Sequence, residues 1–570
     1  MVKEVHKHQV IIVGGGMAGL RAALESCDQG VDTVVLSQVH PIRSHSGSAQ
    51  GGINAPLANA PEGKDDSWER HAFDTVKGSD FLADQDAVEI MTKEASARII
   101  ELEHMGAPFS RTDEGKIAQR PFGGAGFPRT CYASDKTGHV IMQALYEQLV
   151  RRQVKVYAEY FVVALAAEGD TCRGLVALNI LSGELETFEA DAIIFTTGGA
   201  GRIYARSSNA IINTGSGMAV AYQAGVPLKD MEFIQFHPTS LLDSNILMTE
   251  GARGEGGYLV NNKGERFMER YAAKAMELAP RDIVSRSIQT EIDQGRGFEG
   301  GYVHLDLRHL GREKILERLP GIRDIAMNFA GVDPILQPIP IQPAQHYTMG
   351  GIDCNADAET LLKGLLTAGE CACVSVHGAN RLGGNSLLDT VVFGQRAGKK
   401  AAQYVQNKHP RAAAEKALNE ALAKAEKKIN ALAEGQTSEP TFQLRSELGE
   451  TMTNNVGIFR DKGPMTEAVQ KIKDLKRRYQ GCRLTYKGKK FNLDLVRTLE
   501  LEGCLQVAEV IAQGALARQE SRGSHTRWDF PQRDDVNWLK HTLAYFTADG
   551  PQLKYKPVVI TRWQPEARKY

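Results

Sequence analysis

A short apolar strand followed at once by a glycine-rich turn constrains the fold of this chain more than any other part of its sequence. Residues 10–13 read Val-Ile-Ile-Val, which is typical of a strand buried in a parallel sheet. Residues 14–19 then give G-x-G-x-x-G, and a helix over 20–29 and a second strand over 33–36 follow. This order of strand, turn, helix and strand predicts a dinucleotide-binding βαβ unit.

The small residues of this turn indicate how it would hold a pyrophosphate. Gly14 permits the tight turn and Gly16 lets the backbone approach the ligand, while Gly19 lets the helix pack closely on the strand. The N-terminus of the helix adds the positive end of its dipole. The cofactor contacts predicted here are Gly14, Gly16, Ala18 and Gly19.

The end of the second strand departs from the usual dinucleotide site. Ser37 and Gln38 stand where an acidic residue usually binds the ribose hydroxyls. An NAD site would usually need that carboxylate, so its absence favours FAD over NAD. The adenosine ribose must then be held in another way, and Ser37 and Gln38 are predicted to contact the cofactor.

The loop 41–52 carries one large nucleophilic side chain, His45, among three glycines, three serines and an alanine. Such a loop lets the backbone lie close to a flat ligand. A single loop histidine is more often a surface or hydrogen-bonding residue, but this one follows a dinucleotide-binding unit. We predict that the loop contacts the cofactor through Ser44, His45, Ser46, Gln50, Gly51 and Gly52.

Composition excludes several classes of function. A net charge of −1 with 24% charged residues gives no general field for nucleic acid or anionic lipid, so no nucleic-acid partner is expected. No apolar run approaches the roughly 18–20 residues that span a bilayer, and no signal peptide is recognised. The eight scattered cysteines are interpreted as reduced core thiols. We expect a chain that is soluble by itself, which leaves docking on a membrane complex open.

Periodicity outlines the rest of the chain. Amphipathic helices are predicted over 86–105 and 138–152, and strands over 154–197 resemble the β-meander of two-dinucleotide-fold flavoproteins. Residues 230–350 are interpreted as an irregular inserted domain. The pattern then predicts a strand that ends near residue 370 and a long helix that begins at 380–386. It also predicts helices throughout 409–519 and a polar tail from 521 that contains three tryptophans.

A set of motifs makes the chain strongly similar to the flavoprotein subunits of succinate dehydrogenase and fumarate reductase over nearly its whole length. In order, they are R-S-H-S-G-S-A-Q-G-G at 43–52, Q-F-H-P-T at 235–239, T-E-G-A-R-G-E-G-G at 249–257, P-R-D at 280–282, H-Y-T-M-G-G at 346–351 and H-G-A-N-R-L-G-G-N-S-L-L at 377–388. S-R-G-S-H at 521–525 and the stretch from Asp534 and Asp535 to His541 fit too.

The resemblance implies an α/β fold with a two-dinucleotide-binding-type FAD domain, in which a Rossmann-like parallel sheet carries a β-meander. It also implies an inserted α+β capping domain and a C-terminal helical domain. The expected boundaries are 1–235 and 351–408 for the FAD-binding domain, 236–350 for the capping and substrate domain, 409–520 for the helical domain and 521–570 for the tail region.

The same resemblance implies a site for succinate or fumarate. A four-carbon dicarboxylate needs cationic and hydrogen-bonding groups at both ends, and an arginine can clamp one carboxylate bidentately. Taken singly, an arginine of this kind more often forms a surface salt bridge, and a histidine is more often a core residue whose hydrogen bonds are satisfied. The family's substrate residues match His237, Thr249, His346, Arg381, Phe122 and Gly52, with Phe122 as a wall that excludes water.

The family assigns the proton transfer to an arginine, here Arg281, with Glu250 and Arg253 as the matching relay. Guanidinium groups do not ordinarily deprotonate in proteins, so the role requires a proton shared along a chain of groups. A carboxylate clamp without a proton role remains the open alternative for Arg281.

For the cofactor, the resemblance implies a covalent bond between a ring nitrogen of His45 and the 8α-methyl of FAD. Asn385, Ser386 and Leu387 begin a helix whose N–H groups would stabilise negative charge on reduced flavin. Glu370 matches a glutamate that contacts FAD and is a candidate for the missing ribose carboxylate. Ser216 replaces the aspartate found in many members, which leaves its contact open. Relatives hold a sodium ion on backbone carbonyls near 348–350 and Glu370, and the same ion is an open expectation here.

The expected assembly is a membrane-bound succinate:quinone oxidoreductase of the tricarboxylic acid cycle and respiratory chain, on the cytoplasmic face of the inner membrane. Electrons would leave through an iron–sulfur subunit, because this chain has no cysteine pattern for clusters, and quinone-binding anchor subunits would hold the complex. The alternatives are a soluble relative such as L-aspartate oxidase or soluble fumarate reductase, and an electron-carrying flavoprotein. His45 argues against the aspartate oxidases, which lack it. The physiological direction stays open.

Overall fold

A computed structural model describes residues 5–407, 414–435, 437 and 439–568 of the chain. The predicted domain boundary at 408/409 lies outside this part, as do residues 1 and 570, the predicted ends of the first and last domains. Within it, the helices are, in chain order, α1 (Met17–Asp28), α2 (Trp68–Gly78), α3 (Gln85–His104), α4 (Thr137–Arg151), α5 (Ser216–Gln223), α6 (Glu250–Gly254), α7 (Met268–Tyr271), α8 (Arg281–Asp293), α9 (Arg312–Arg318), α10 (Pro320–Ala330), α11 (Asn385–Gln406), α12 (Glu415–Ala433), α13 (Thr441–Asn455), α14 (Lys462–Gly481) and α15 (Leu493–Ala517).

The strands of the same part are β1 (Val5–Val13), β2 (Thr33–Ser37), β3 (Ile53–Asn54), β4 (Gln119–Arg120), β5 (Thr130–Cys131), β6 (Lys155–Ala158), β7 (Tyr160–Glu168), β8 (Thr171–Asn179), β9 (Glu184–Phe195), β10 (Leu228–Lys229), β11 (Ile234–Leu241), β12 (Tyr258–Val260), β13 (Val303–Asp306), β14 (Ile339–Thr348), β15 (Gly351–Asp353), β16 (Leu365–Thr367), β17 (Ala372–Cys373), β18 (Phe459–Arg460), β19 (Thr526–Arg527), β20 (Lys540–Tyr545) and β21 (Gln552–Pro557).

The main sheet confirms the predicted parallel core. Its strands β6, β2, β1, β9 and β16 all pair in parallel. Strand β1 is longer than the predicted 10–13, because β9 supplies hydrogen-bonding partners back to Val5 and the ring of His6 stacks on Phe188. Helix α1 starts at Met17, earlier than the predicted residue 20, so the last glycine of the motif lies in its first turn.

Strand β9 joins the parallel sheet to the predicted meander. Its first half pairs antiparallel with β8, which pairs with β7, while its second half pairs in parallel with β16. The chain thus returns from the meander directly to the centre of the sheet beside β1. This is the α/β arrangement that the sequence predicted.

The segment predicted as irregular, 230–350, contains a regular antiparallel sheet in the order β11–β14–β13–β12. The alternating pattern of this sheet is hidden in the sequence because β11 is interrupted by irregularities between Gln235 and Phe236 and between His237 and Ser240. All eight residues of β11 are buried, so its two faces do not differ in polarity.

The predicted helical region and tail are also observed. Helices α12 to α15 cover most of the described part of 409–519, interrupted by the two-residue strand β18. The tail lies over its own protein: β20 pairs with β10 and β21, and Trp563 packs against Phe73 of α2. Among the described residues, no helix is both long and apolar enough to cross a membrane.

Close packing of α11 on α1 supports the main sheet. A Cβ atom added at Gly398 would lie 2.3 Å from the carbonyl oxygen of Ala22, and one added at Gly394 would lie 2.7 Å from that of Ala18. The Ser26 hydroxyl donates to the Gly398 carbonyl at 3.0 Å. The two helices therefore approach each other to a distance that a larger residue prevents.

We expect Gly398→Ala to lower the free energy of unfolding by about 1–3 kcal/mol, because the added methyl group forces the two helices apart. Urea unfolding monitored by circular dichroism measures this change. The matched control is Gly463→Ala on α14, where an added Cβ meets nothing within 4 Å, and which should be neutral or slightly stabilising. Equal effects of the two substitutions would contradict the packing argument.

A buried histidine joins three distant parts of the chain. Nδ1 of His541 lies 2.6 Å from Asp230 at the entry to the second sheet, and Nε2 lies 3.0 Å from Asp84, just before α3. Burial acts to lower the pKa of His541, but the two carboxylates reverse this effect and raise the pKa to about 9 from its ordinary 6.5.

This clasp predicts a loss of stability at alkaline pH. Because the folded-state pKa of His541 lies above its ordinary value, its contribution is complete below pH 6.5 and is lost as the pH rises through about 9. Unfolding free energies measured between pH 6 and 9.5 should fall in the wild type and change less in His541→Gln. The exposed His139→Gln should retain the wild-type slope. A wild type whose stability is constant over this range would refute the clasp.

Candidate active site

One cavity of about 390 Å³ opens at the carboxyl ends of β1, β2, β9 and β16 and extends to the second sheet. Ligands of open α/β sheets bind at this edge, so the position is the expected one. Most of the residues singled out in the sequence line it: Gly14, Gly16, Ala18, Ser37, Gln38, Ser44, His45, Ser46, Gln50, Gly51, Gly52, Phe122, His237, Thr249, Glu250, Arg281, His346, Glu370, Arg381, Ser386 and Leu387.

The glycine-rich turn has the geometry of a pyrophosphate cradle. Gly14 has φ +114°, and a Cβ atom there would lie 2.2 Å from the Thr196 carbonyl oxygen, so only glycine fits. Helix α1 begins at Met17, and its N-cap residue, Gly16, has no side chain that could accept the first N–H groups. The Ser46 hydroxyl accepts the Met17 N–H at 3.2 Å. The remaining N–H groups and the helix dipole suit an anion, so the cradle fits a dinucleotide.

Three predicted site residues do not line the cavity. Gly19 packs against the turn itself, since an added Cβ would lie 1.9 Å from the Gly14 carbonyl oxygen. The Asn385 side chain points away and bonds Asn54, His71 and Thr75 at 2.8–2.9 Å. Arg253 is buried behind Glu250, outside the lining. Any effect of these three on a ligand passes through a neighbour.

His45 lies on the cavity wall, on the loop after β2. Its Nδ1 is 3.3 Å from the Ala210 N–H, and its Nε2 is 3.4 Å from the Asn209 amide. Burial and then the nearby charge of Arg202 lower the pKa of His45 to about 4. The imidazole is therefore neutral at physiological pH and keeps the lone pair that a nucleophile needs.

Two histidines face the cavity from the second sheet. His237 of β11 and His346 of β14 have ring centroids 4.9 Å apart. Burial first, and then the neighbouring guanidinium groups, hold both pKa values well below the ordinary 6.5, so both rings are neutral. Nδ1 of His237 accepts the Thr239 N–H at 3.2 Å, which leaves the proton on Nε2, a buried atom with no partner within the described structure.

Two buried arginines meet on one amide. Arg281 begins α8 and Arg381 precedes α11; their guanidinium groups donate to the Oε1 atom of Gln235 at 3.1 and 2.9 Å. Arg381 also lies over the ring of Tyr347 at 4.4 Å. Burial and the charge of Arg281 lower the pKa of Arg381 to about 9, and its buried Nε has no hydrogen-bond partner in the described part of the chain.

Glu250 contacts Arg281 and lies farther from Arg253, its predicted partner in the proton relay. Its Oε2 accepts from Arg281 at 2.6 and 2.7 Å, and its Oε1 accepts the Gly123 N–H at 2.8 Å. The Nη2 atom of Arg253 is 3.9 Å from Oε1, which is an ion-pair distance and too long for a hydrogen bond. Burial acts to raise the pKa of Glu250, but Arg281 and Arg253 bring it below its ordinary value.

Glu370 lines the cavity from the short turn that follows β16. Its Oε1 accepts the Thr348 N–H at 3.0 Å, and burial raises the pKa of Glu370 to about 7. Ser37 and Gln38 line the same cavity at the end of β2, and the Gln38 amide donates to the carboxylate of Glu500. The proposed replacement of the ribose carboxylate by Glu370 and the sodium ion both remain predictions.

Several residues that line the cavity escaped the sequence analysis. Thr197 follows β9, and Ser208 and Asn209 lie in the loop beyond it; Ser208 holds Nδ1 of His346 at 2.8 Å. Thr197 Oγ1 and Asn209 Oδ1 are buried and have no hydrogen-bond partner among the described residues, as expected where a polar ligand completes the site. The position of Thr197 at the carboxyl end of a parallel strand was the signal that could have identified it.

Comparison with known proteins agrees with this geometry. A family model described as "FAD binding domain" matches residues 9–387, and one described as "Fumarate reductase flavoprotein C-term" matches residues 445–570. The succinate dehydrogenase flavoprotein subunit of Rickettsia bellii is 46% identical, over 99% of this chain and 97% of its own. The fumarate reductase flavoprotein subunit of Mycobacterium tuberculosis is 42% identical over 99% of each.

Solved structures give the same result. E. coli quinol fumarate reductase FrdA, in a mutated form, has a TM-score of 0.95 at 41% identity over 99% of both chains. Mycobacterium smegmatis Sdh1 in complex with UQ1 has a TM-score of 0.87 at 35% identity over 99% of this chain and 96% of that one. The chain therefore belongs to the family of succinate dehydrogenase and fumarate reductase flavoprotein subunits, which are FAD-dependent oxidoreductases.

Proposed function

We propose that this chain is the catalytic flavoprotein subunit of a membrane-bound succinate:quinone oxidoreductase and interconverts succinate and fumarate on covalently bound FAD. The observation that carries the proposal is a single cavity with two parts. One end is a dinucleotide cradle with a neutral histidine, His45, on its wall; the other holds two buried guanidinium groups and two neutral histidines.

The polar end suits a small dianion. Arg281 and Arg381 bring two positive charges to this end of the cavity. The Glu250 carboxylate contacts Arg281. Neutral His237 donates through Nε2. Thr249 accepts the Gly251 N–H at 3.1 Å, which leaves its hydroxyl hydrogen for a ligand. Two carboxylates at the ends of a four-carbon chain would satisfy these donors and offset the buried positive charge.

Arg281 is the proposed proton shuttle. When bound, FAD supplies the redox chemistry by exchanging a hydride with one central carbon of the substrate. The other central carbon exchanges a proton with Arg281, which gives it to fumarate and takes it back from succinate. Arg281 begins α8 and shares the Gln235 amide oxygen with Arg381. Glu250, 2.6 Å from Arg281, receives the shared proton.

Phe122 and the loop that carries it shield this end from water. Its ring lies beside Gly51, where an added Cβ would meet it at 2.6 Å, and Gly123 of the same loop is tied to Glu250. Excluding water strengthens the electrostatic interactions between the arginines and a bound dianion.

The proposed tether joins a ring nitrogen of His45 to the 8α-methyl of FAD. The neutral ring and its place on the cavity wall support this bond. Succinate is a poor reductant, and the tether would raise the flavin potential enough to accept its hydride. The aspartate oxidases, which lack this histidine, are the nearest alternative within the fold.

The electrons would pass to an iron–sulfur subunit and then to quinone in membrane anchor subunits, at the cytoplasmic face of the inner membrane. Among the described residues, no group of three or more His, Cys, Asp or Glu side chains could hold a metal, and seven of the eight cysteines are buried. One similar structure is titled "Quinol-Fumarate Reductase with Menaquinol Molecules", and another contains UQ1. A quinone partner for this chain is proposed on that likeness.

A covalent bond between His45 and FAD predicts that the flavin stays attached to the protein after denaturation. After acid precipitation, wild type should keep its flavin absorbance and the corresponding added mass, and His45→Ser should lose both together with most succinate oxidation. The control is His40→Ser, an exposed histidine on the same loop that contacts Tyr146. Release of FAD from the wild type would favour a soluble relative, such as L-aspartate oxidase or soluble fumarate reductase, and remove the argument for membrane partners.

The proton-shuttle role of Arg281 predicts that its substitution lowers kcat with little change in KM. Arg281→Lys keeps a positive charge but changes the group that exchanges the proton, so kcat should fall by at least about 100-fold while the KM for succinate changes little. Steady-state assays with an artificial acceptor measure both constants. Arg308→Gln, an exposed arginine of the same segment, should leave them unchanged. A raised KM with retained kcat would identify Arg281 as a carboxylate clamp instead.

A further inference from the structure

The end of β2 lacks its own acidic residue, but a carboxylate from the distant helical region lies against it. Nε2 of Gln38 donates to Oε1 of Glu500 at 2.7 Å, across 462 residues of chain. Glu500 lies on α15 and is fully buried, and it does not line the cavity. Gln38 is half-buried and does line it.

The two oxygens of Glu500 have different partners. Oε2 accepts from Arg497 at 2.8 Å and from Arg445 at 3.3 Å, and both arginines are partly exposed. These two guanidinium groups fix the direction of the carboxylate. Oε1 is therefore held toward Gln38 as an acceptor.

This contact determines which way the Gln38 amide faces. An ionised carboxylate only accepts hydrogen bonds, so the NH₂ group must face Glu500 and Oε1 must face away. No hydrogen bond to Oε1 of Gln38 is seen among the described residues. At this position of a dinucleotide fold, the residue after the second strand meets the ribose hydroxyls of the bound nucleotide.

We propose that Glu500 is a positioning residue for the adenosine ribose of FAD: it fixes the Gln38 amide so that Oε1 accepts a hydrogen bond from a ribose hydroxyl. Gln38 makes the contact, and Glu500 acts through it. The neutral amide oxygen replaces the carboxylate usually found here and places no negative charge beside the pyrophosphate. The inference rests on FAD as the cofactor and is independent of the substrate.

Such a role differs in a measurable way from a purely structural one. If Glu500 only joined α15 to the main domain, its loss would weaken the binding of every flavin or of none. FMN contains the flavin and one phosphate but lacks the adenosine, and ADP contains the adenosine ribose but lacks the flavin. A ribose contact must therefore affect FAD and ADP and spare FMN.

The test is flavin titration of the apoprotein in the His45→Ser background, where no tether forms. Adding Gln38→Met or Glu500→Leu should raise the Kd for FAD by about 3- to 10-fold, the loss of one net hydrogen bond. Competition by ADP should weaken by a similar factor, while the Kd for FMN stays within about twofold. Glu500→Gln, whose amide oxygen can still accept from Gln38, should restore most of the FAD affinity.

The matched control is Glu502→Leu on the same helix, which breaks an ion pair with Lys428 at 2.8 Å and should leave all three ligands unaffected. Equal losses of FAD and FMN affinity, or no loss in Gln38→Met, would overturn the proposal. If Glu500→Leu does not fold, Gln38→Met, which keeps the Glu500–arginine contacts, can still refute the ribose contact on which the role of Glu500 depends. Failure of succinate oxidation would not change these affinities, so the two proposals fail separately.

Discussion

Burying two guanidinium groups beside each other is the constraint on which the rest of this site depends. Arg281 and Arg381 converge on a single amide oxygen of Gln235, and both are almost fully buried. Like charges at such short range repel, and burial removes the water that would screen them. The protein offsets this cost with Glu250 and the face of Tyr347. A dianionic ligand would complete the compensation, which connects the stability of the site with its affinity.

The same charges set the protonation of their neighbours. His237 and His346 stay neutral because burial and the guanidinium groups oppose an added proton, and a neutral ring can donate one hydrogen bond without adding charge. His45, farther along the cavity, is kept neutral by burial and Arg202. The pKa of Glu370 rises to about 7 where burial outweighs its backbone hydrogen bond and the charge of Arg381. Local electrostatics thus keeps three imidazole rings neutral and raises the pKa of one carboxyl group within a single cavity.

The arrangement requires elements that are far apart in sequence. Gln235 and His346 come from paired strands of the second sheet, Arg281 from the start of α8, and Arg381 from the loop that enters α11 of the main domain. The clasp of His541 with Asp84 and Asp230 fixes the tail and the entry to the second sheet against the main domain. Through Gln38 and Glu500 the helical region also reaches the cofactor cradle. The cavity is therefore assembled by several parts of the molecule together.

The sequence by itself determined the local parts of this protein. The βαβ unit, the meander and the helical region follow from apolar periodicity and from glycines that only particular turns require, such as Gly14. Most of the site residues that the motifs predicted line the cavity. Tertiary structure alone decided that Asn385 turns away from the cavity, that Arg253 lies 3.9 Å from Glu250, and that Glu500 contacts Gln38. Periodicity reports which face of an element is buried, but the partner of a buried polar group depends on which distant segments pack there.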